Sequence, residues 1–192
     1  MRRLLPILAA LALPLSVTAC FGGAKVPPTL LTLTPTAAPA SIDRTGAAGD
    51  SVTIEVPVAP REIRQVRVPV LEGPGQVSYV KDLQYVETPD RLFQLLVSET
   101  VRRITSRMVI DPRQTGIDPG TRVSGVLTRF GHDSQSGQVI VTYDATAARG
   151  ATVQTRRFTA SVPADGTAAT VGPALNAAAN EVARQVAGWI GG

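Results

Sequence analysis

Cysteine and histidine, side chains that often serve as nucleophile, base or metal ligand, each occur once in this chain of 192 residues. Cys20 has no second cysteine to pair with, and His132 stands in the turn-like stretch HDSQSG beside Asp133. Catalysis of the triad kind needs a base beside its nucleophile, and we expect His132 to be a solvated turn residue instead. Metal binding needs several converging ligands, whereas the acidic residues are spread almost singly. The sequence therefore predicts no catalytic residue, no metal site and no bound cofactor.

Cys20 ends a segment with the layout of a secretory signal peptide. Two arginines precede an uncharged stretch, residues 4–19, which two prolines interrupt and which is shorter than the roughly 20 residues of a spanning helix. The ending VTAC resembles the lipobox of bacterial lipoproteins. The resemblance implies that residues 1–19 are removed and that Cys20 becomes an N-acyl, S-diacylglycerol cysteine, with palmitate as an acyl chain.

The expected lipid would fix the protein to a membrane. Each buried methylene contributes about 0.8 kcal/mol, and one acyl chain alone anchors a protein only marginally, so several chains together should hold it. Residue 21 is Phe, where lipoproteins retained at the inner membrane generally carry Asp. We therefore expect lipid anchoring at the outer membrane, facing the periplasm.

The composition of the mature chain argues against a nucleic-acid partner. Residues 1–19 carry two of the 19 basic residues and none of the 15 acidic ones, which leaves 17 against 15. The basic residues are dispersed and aromatic residues make up only 4%, whereas nucleic-acid binding favours a basic patch with stacking aromatics. About 170 remaining residues suffice for one domain. We predict a signal peptide at 1–19, a lipidated cysteine and tether at 20–28, and one domain at 29–192.

Hydrophobic periodicity predicts an α+β fold. Strands are expected at 29–35, 51–58, 63–71, 75–80, 121–133, 137–148 and 151–162, the last three as an antiparallel meander. Helices are expected at 87–108, begun by Thr88 and Pro89, and at 171–192, begun by Pro173. We predict a single domain with a mainly antiparallel sheet and two principal helices packed on one face.

The first predicted helix has two distinct faces. Its expected buried stripe consists of Leu92, Phe93, Leu96, Val97, Val101, Ile104 and Met108. Glu99, Arg103 and Arg107 follow one another at intervals of four residues on the other side. This spacing is typical of a solvated helix face with an ion pair.

The order of these elements resembles the ABC-type transport auxiliary lipoproteins, which accompany MCE-type lipid transporters and include the lipoprotein of the paraquat-inducible systems. The resemblance rests on PPTLLTLTP after the cysteine, on SVTIEVPVAPREIRQVRVPV, on the tyrosine in VSYVKDLQYVETPDRLFQLLVSETV, and on the closing LNAAANEVARQVAGWI. Tyr85 and Val86 stand where the family usually carries Trp-Ala.

The resemblance implies a function without catalysis. It implies a membrane-anchored component of an intermembrane lipid transport system that docks the conduit at the outer membrane, with an MCE-domain protein and an ABC transporter as partners. Self-association into a homo-oligomer stays open, as does lipid binding by the domain itself. Two alternatives also stay open: a lipoprotein scaffold of another envelope complex, for secretion or cell-wall synthesis, and an envelope hydrolase that uses carboxylates alone.

Overall fold

The computed structural model describes residues 27, 29–41, 43–114 and 118–191. Their two helices and seven strands follow one another as β1 Ser51–Ile54, β2 Arg67–Gly73, β3 Gln76–Gln84, α1 Pro89–Ile104, β4 Met108–Ile110, β5 Thr121–Asp133, β6 Gln138–Arg149, β7 Thr152–Pro163 and α2 Ala168–Gly191. A short 3₁₀ turn, Ala48–Asp50, precedes β1. The seven strands form one sheet.

The long strand β5 organises the sheet. On one edge it continues into the antiparallel meander β5-β6-β7. On its other edge it carries two shorter strands end to end, both parallel to it: β1, where Val52 is opposite Thr121, and β2, where Val70 is opposite His132. Strand β4 extends the sheet beyond β1, and β3 extends it beyond β2.

The prediction of a mainly antiparallel sheet was wrong, because the sheet is mixed. The pairs β1-β4, β1-β5 and β2-β5 are parallel, and the pairs β2-β3, β5-β6 and β6-β7 are antiparallel. A parallel pair needs a crossover that brings the chain back to the same end of the sheet. Here the β2-β3 hairpin and α1 lie between β1 and β4. Short turns reveal hairpins in a sequence, but long crossovers leave no comparable local signal.

The prediction of one domain with both helices on one face of the sheet is confirmed. Tyr143 of β6 and Phe158 of β7 are opposite one another. The ring of Tyr143 lies 5.2 Å from that of Phe93 on α1, and the ring of Phe158 lies 5.4 Å from that of Trp189 on α2. Because neighbouring residues on adjacent strands share a face, both helices cover the same side. One buried hydrophobic cluster fills the space between.

The first helix is shorter than predicted. Its buried residues include most of the predicted stripe, but Ile104 is 46% exposed. The helix ends there because Thr105 adopts an extended backbone, and the Thr105 hydroxyl donates to the Val101 carbonyl over 2.7 Å. Met108, predicted to lie in the helix, is the first residue of β4. Helical spacing thus continued by chance past the true end of the helix.

The second helix begins earlier than predicted, and Pro173 lies inside it. The cause is a set of local hydrogen bonds to the Asp165 carboxylate. It accepts from the Thr167 amide over 2.9 Å and from the hydroxyls of Thr167 and Thr170. These bonds lower the pKa of Asp165 to about 2. They order the chain just before Ala168, so the helix does not need proline to start it.

Strand β1 is also shorter than the predicted 51–58. It ends at Ile54, and Val58 returns to form an isolated parallel bridge with Val126. Between them stands Pro57, which has no N–H to donate to a sheet. Val56 is therefore 40% exposed, although the alternating pattern placed it in the core.

Candidate functional site

The predicted attachment to the membrane begins at Cys20, which lies outside the described residues. Among the residues that the structure describes, neither helix combines the length and the apolar character needed to cross a membrane. The site that the structure does describe is the region where the polypeptide joins the domain, from residue 29 to residue 50.

This N-terminal segment makes one sheet contact and then leaves the sheet. Leu31 donates to the Gln84 carbonyl over 2.7 Å and accepts from Val86 over 2.9 Å, which forms a parallel bridge with Tyr85. The predicted strand at 29–35 was therefore wrong beyond this single bridge. Leu33 is buried in the core, as its apolar character suggested.

Two asparagines of α2 bind the segment in place of a neighbouring strand. Asn180 is 5% exposed, and its Oδ1 accepts from the Thr36 amide over 2.8 Å while its Nδ2 donates to the Thr34 carbonyl over 2.9 Å. Asn176 Oδ1 accepts from the Thr34 amide over 2.8 Å. A side-chain amide has one acceptor and two donors, so it can satisfy extended backbone much as a strand does. The four-residue spacing of two asparagines on an alanine-rich helix was the signal that sequence reasoning missed.

Arginines continue the attachment toward the end of α1. Arg103 donates to the Ala37 carbonyl over 2.8 Å, and Arg44 donates to the carbonyls of Arg102, Thr105 and Arg107. The last carbonyls of a helix have no partner within the helix. A cation that binds them also offsets the negative end of the helix dipole. Arg44 therefore caps α1 from a segment that the sequence predicted only as a loop.

The helix arginines are less solvated than predicted. The ion pair between Arg103 and Glu99 is present, at 2.8 Å, but the Arg103 side chain is only 21% exposed. Arg107 lies beyond the end of α1, and its Nη2 donates to Thr121 Oγ1 over 2.5 Å. Burial lowers the pKa of Arg107. The prediction of a solvated helix face was thus wrong for Arg107 and incomplete for Arg103.

The two helices run in the same direction, which fixes where the segment enters the domain. Near their N-terminal ends, Leu31 bonds Val86 just before α1 and lies close to Gly172 of α2. Near their C-terminal ends, Gly191 lies against Thr105. The segment from 31 to 44 therefore passes from the N-terminal ends of both helices to their C-terminal ends.

His132 does not lie in a solvated turn, and that prediction was wrong. It belongs to β5, is 5% exposed, and has its Nε2 at 3.0 Å from the Ala164 carbonyl, while its buried Nδ1 has no partner in the described residues. Asp133 accepts hydrogen bonds from the Ser136 amide and from Arg129, and these bonds lower its pKa. Neither ring nitrogen bonds a hydroxyl or a carboxylate within the described ranges, so they form no catalytic pair there. Those ranges also contain no cluster of three His, Cys, Asp or Glu residues that could hold a metal.

Comparisons with solved structures show the fold, and a comparison with family models shows the family. The crystal structure of a Xanthomonas campestris protein from the family DUF330 matches with a TM-score of 0.64 and 18% identity, over 86% of this chain and 92% of that one. An uncharacterized protein of known structure matches with a TM-score of 0.58 and 10% identity, over 74% and 90%. At these identities the likeness concerns the fold alone, and no curated protein sequence matches. Residues 31–187 match the family model for the ABC-type transport auxiliary lipoprotein component. The chain therefore belongs to the family of ABC-type transport auxiliary lipoproteins.

Proposed function

We propose that this chain is a non-catalytic, membrane-anchored component of an MCE-type intermembrane lipid transport system and that it docks the conduit at the outer membrane. Family membership supports the coarser part, an auxiliary lipoprotein of ABC-type transport. The observation that carries the finer part is the way the N-terminal segment is bound to the domain.

This attachment begins close to Cys20 in the sequence. Eight residues, 21–28, separate Cys20 from the start of the segment that Leu31 and the two asparagines of α2 hold. At about 3.3–3.6 Å per residue, eight residues reach at most roughly 30 Å. A lipidated Cys20 would thus keep the domain next to its bilayer, which suits a docking component better than an enzyme that must reach dispersed substrates.

With Cys20 lipidated, the two ends of the domain differ in their distance from the anchor, so we infer a membrane-facing and an outward-facing end. The described segment begins beside the N-terminal ends of α1 and α2, where Leu31 bonds Val86. The 24 residues of α2 extend about 36 Å at 1.5 Å per residue. The C-terminal ends of both helices can therefore extend farther from the anchor than the entry point does. We expect the periplasmic partner to approach this outward end.

The choice of membrane rests on the residue after the lipidated cysteine. Phe21 lacks the carboxylate of the Asp that generally marks lipoproteins retained at the inner membrane. We therefore propose the outer membrane, with the domain facing the periplasm, the MCE protein as direct partner and the ABC transporter as its energy source. A homo-oligomer is compatible with this arrangement.

Affinity purification from the native host tests the proposal. The full chain, tagged at its C-terminus, is captured after mild crosslinking, and the bound proteins are identified by mass spectrometry. We expect an MCE-domain protein and its ABC ATPase, and a Cys20→Ser variant that no longer reaches the membrane should capture less of both. Recovery of secretion or cell-wall synthesis proteins instead would replace the proposal with the scaffold alternative.

A further inference from the structure

A cleft near the C-terminal ends of α1 and α2, the outward end of the domain, is lined by both charged and apolar side chains. It lies between the start of β5, the β6-β7 turn region and the last turn of α2, and it has a volume of about 230 Å³. Its lining includes the positively charged side chains of Arg107 and Arg149 and the apolar side chains of Trp189, Ile190 and Ala147. None of these residues takes part in the attachment of the N-terminal segment through its side chain.

The two arginines have no carboxylate partner among the described residues. Arg107 makes one side-chain hydrogen bond there, to Thr121, and its buried Nε has no partner. Arg149 makes no side-chain hydrogen bond within the same ranges, whereas eight other arginines form ion pairs. Burial and then the charge of Arg149 lower the pKa of Arg107, and Asp50 offsets this only in part and forms no ion pair with it.

Arg149 is exposed, whereas Arg107 is partly buried, and the nearby positive charge of Arg149 makes the burial of Arg107 less favourable until an anion joins them. Removing an ion from water costs free energy that only a well-placed opposite charge offsets. Carboxylates and phosphates match the planar array of donors on a guanidinium. The unpaired arginines therefore favour a ligand with one of these groups.

The apolar part of the lining favours an apolar body attached to that anion. The Trp189 ring packs on Phe158 with 5.4 Å between the ring centroids, which holds it in place. Ile190 and Ala147 continue this surface beside it. Ile190 is only 7% exposed, so Trp189 and Ala147, which are half-buried, provide most of the apolar surface that water reaches. A small inorganic anion would leave that surface uncovered, whereas a chain of methylene groups would remove it from water.

We propose that this cleft binds the carboxylate or phosphate headgroup of an anionic amphiphile, with the first part of its apolar chain against Trp189 and Ile190. The volume is below the roughly 300–1,000 Å³ of sites that enclose a drug-sized ligand, so the cleft holds a headgroup and a short length of chain, not a whole lipid. Ile190 stands 18 residues after Gly172, about 27 Å along α2 from the tether entry. The site thus faces away from the anchor, and it does not depend on the identity of the transport partner.

Tryptophan fluorescence provides the test, because Trp189 is the only tryptophan of the chain. The mature chain with Cys20→Ser, which keeps every described residue, is titrated with monomeric decanoate, with the neutral detergent decyl maltoside and with inorganic phosphate. We expect saturable binding of decanoate and at least about tenfold weaker binding of the other two, because decyl maltoside lacks the anionic group and phosphate lacks the apolar chain. Vesicles of phosphatidylglycerol and of phosphatidylcholine then separate a bilayer headgroup from a free amphiphile as the source.

Variants separate binding from a structural role of the arginines. Arg149→Gln and Arg107→Gln should each weaken decanoate binding about tenfold or more. Arg157→Gln, on the opposite face of the sheet and paired with Asp144, should leave it unchanged. Arg149→Gln removes no hydrogen bond of the described residues, so it should still fold if Arg107→Gln does not. Equal responses to decanoate and decyl maltoside would overturn the proposal in favour of simple adsorption of apolar chains. Unchanged decanoate binding in a folded Arg149→Gln variant that only melts earlier would overturn it in favour of a structural role, in which Arg149 offsets the dipole of α2.

Discussion

Replacing Asn180 with Ala should release the N-terminal segment from α2 without disturbing the core. The variant loses two bonds to the backbone of the segment, from the Thr36 amide at 2.8 Å and to the Thr34 carbonyl at 2.9 Å. A hydrogen bond contributes a net of about 0.5–1.5 kcal/mol. We therefore expect the free energy of unfolding to fall by about 2 kcal/mol, and the melting temperature to fall by roughly 4–8 °C.

Two measurements on the mature chain with Cys20→Ser check this expectation. Urea denaturation followed by circular dichroism gives the free energy of unfolding, and hydrogen exchange gives the protection of the Thr34 and Thr36 amides. Asn176→Ala is the matched control, because it removes one bond at an exposed position and should cost no more than about 1 kcal/mol. Unchanged stability in Asn180→Ala, with Thr36 still protected, would refute the reasoning that Asn180 replaces a strand.

Three further predictions follow from the anchor, the helix cap and the acidic turn. Cys20→Ser should yield protein that is not retained in membranes and that shows no diacylation in mass spectrometry of the mature N-terminus. An unmodified Cys20 in the native protein would contradict the lipidation hypothesis. Phe21→Asp should move the lipidated protein to the inner-membrane fraction. Arg44→Ala should lower the free energy of unfolding by about 1–2 kcal/mol in urea, because the carbonyls of Arg102 in the last turn of α1, of Thr105 at its C-cap and of Arg107 just after it lose their donor. If Arg44→Lys keeps the full stability, the multidentate cap would be contradicted. The Asp165 carboxylate should stabilise the fold above its ordinary pKa of 3.8 and lose that contribution as the pH falls toward about 2. The free energy of unfolding of Asp165→Asn should therefore fall less steeply between these pH values than that of the parent protein. Equal slopes for the two proteins would contradict this role of Asp165.

Features with a local cause were predictable from the sequence. The turn after Gly73 joins β2 and β3 as an antiparallel hairpin, and the meander β5-β6-β7 follows from its two short turns. Thr88 and Pro89 mark the start of α1 because proline suits the first turn, where its missing N–H would have no partner. Each of these signals lies within a few residues of the structure that it determines.

Features that depend on distant residues were not predictable in the same way. Thr36 and Asn180 are 144 positions apart, so nothing near residue 29 shows that the segment turns from the sheet to α2. His132 reads as a turn residue because Asp133 and the serines follow it, yet β5 extends through it and the Ala164 carbonyl meets its ring. The parallel pairs of β1 likewise arise from long crossovers and not from turns.

The candidate functional residues also differ in whether nearby sequence reveals them. Cys20 was predicted from its neighbours alone, since the lipobox is a contiguous motif, and it stays a prediction because it lies outside the described residues. The cleft could not be predicted, because Arg107 in the connection before β4, Arg149 of β6 and Trp189 of α2 are far apart in the sequence. Arginines at helical spacing are usually solvated. Arg107 is partly buried instead, because it bonds Thr121 of β5 and lies beside the last turn of α2.

Direct binding between purified proteins tests the central claim, that the folded domain docks an MCE-type partner and needs its lipid only for placement. The mature chain with Cys20→Ser is titrated by calorimetry into the periplasmic region of an MCE protein from the same host, with the corresponding region of an unrelated MCE system as control. The account predicts saturable association with the cognate region, weaker association with the control, and no requirement for the acyl chains. A correctly folded chain that shows no association at high micromolar concentration would contradict it.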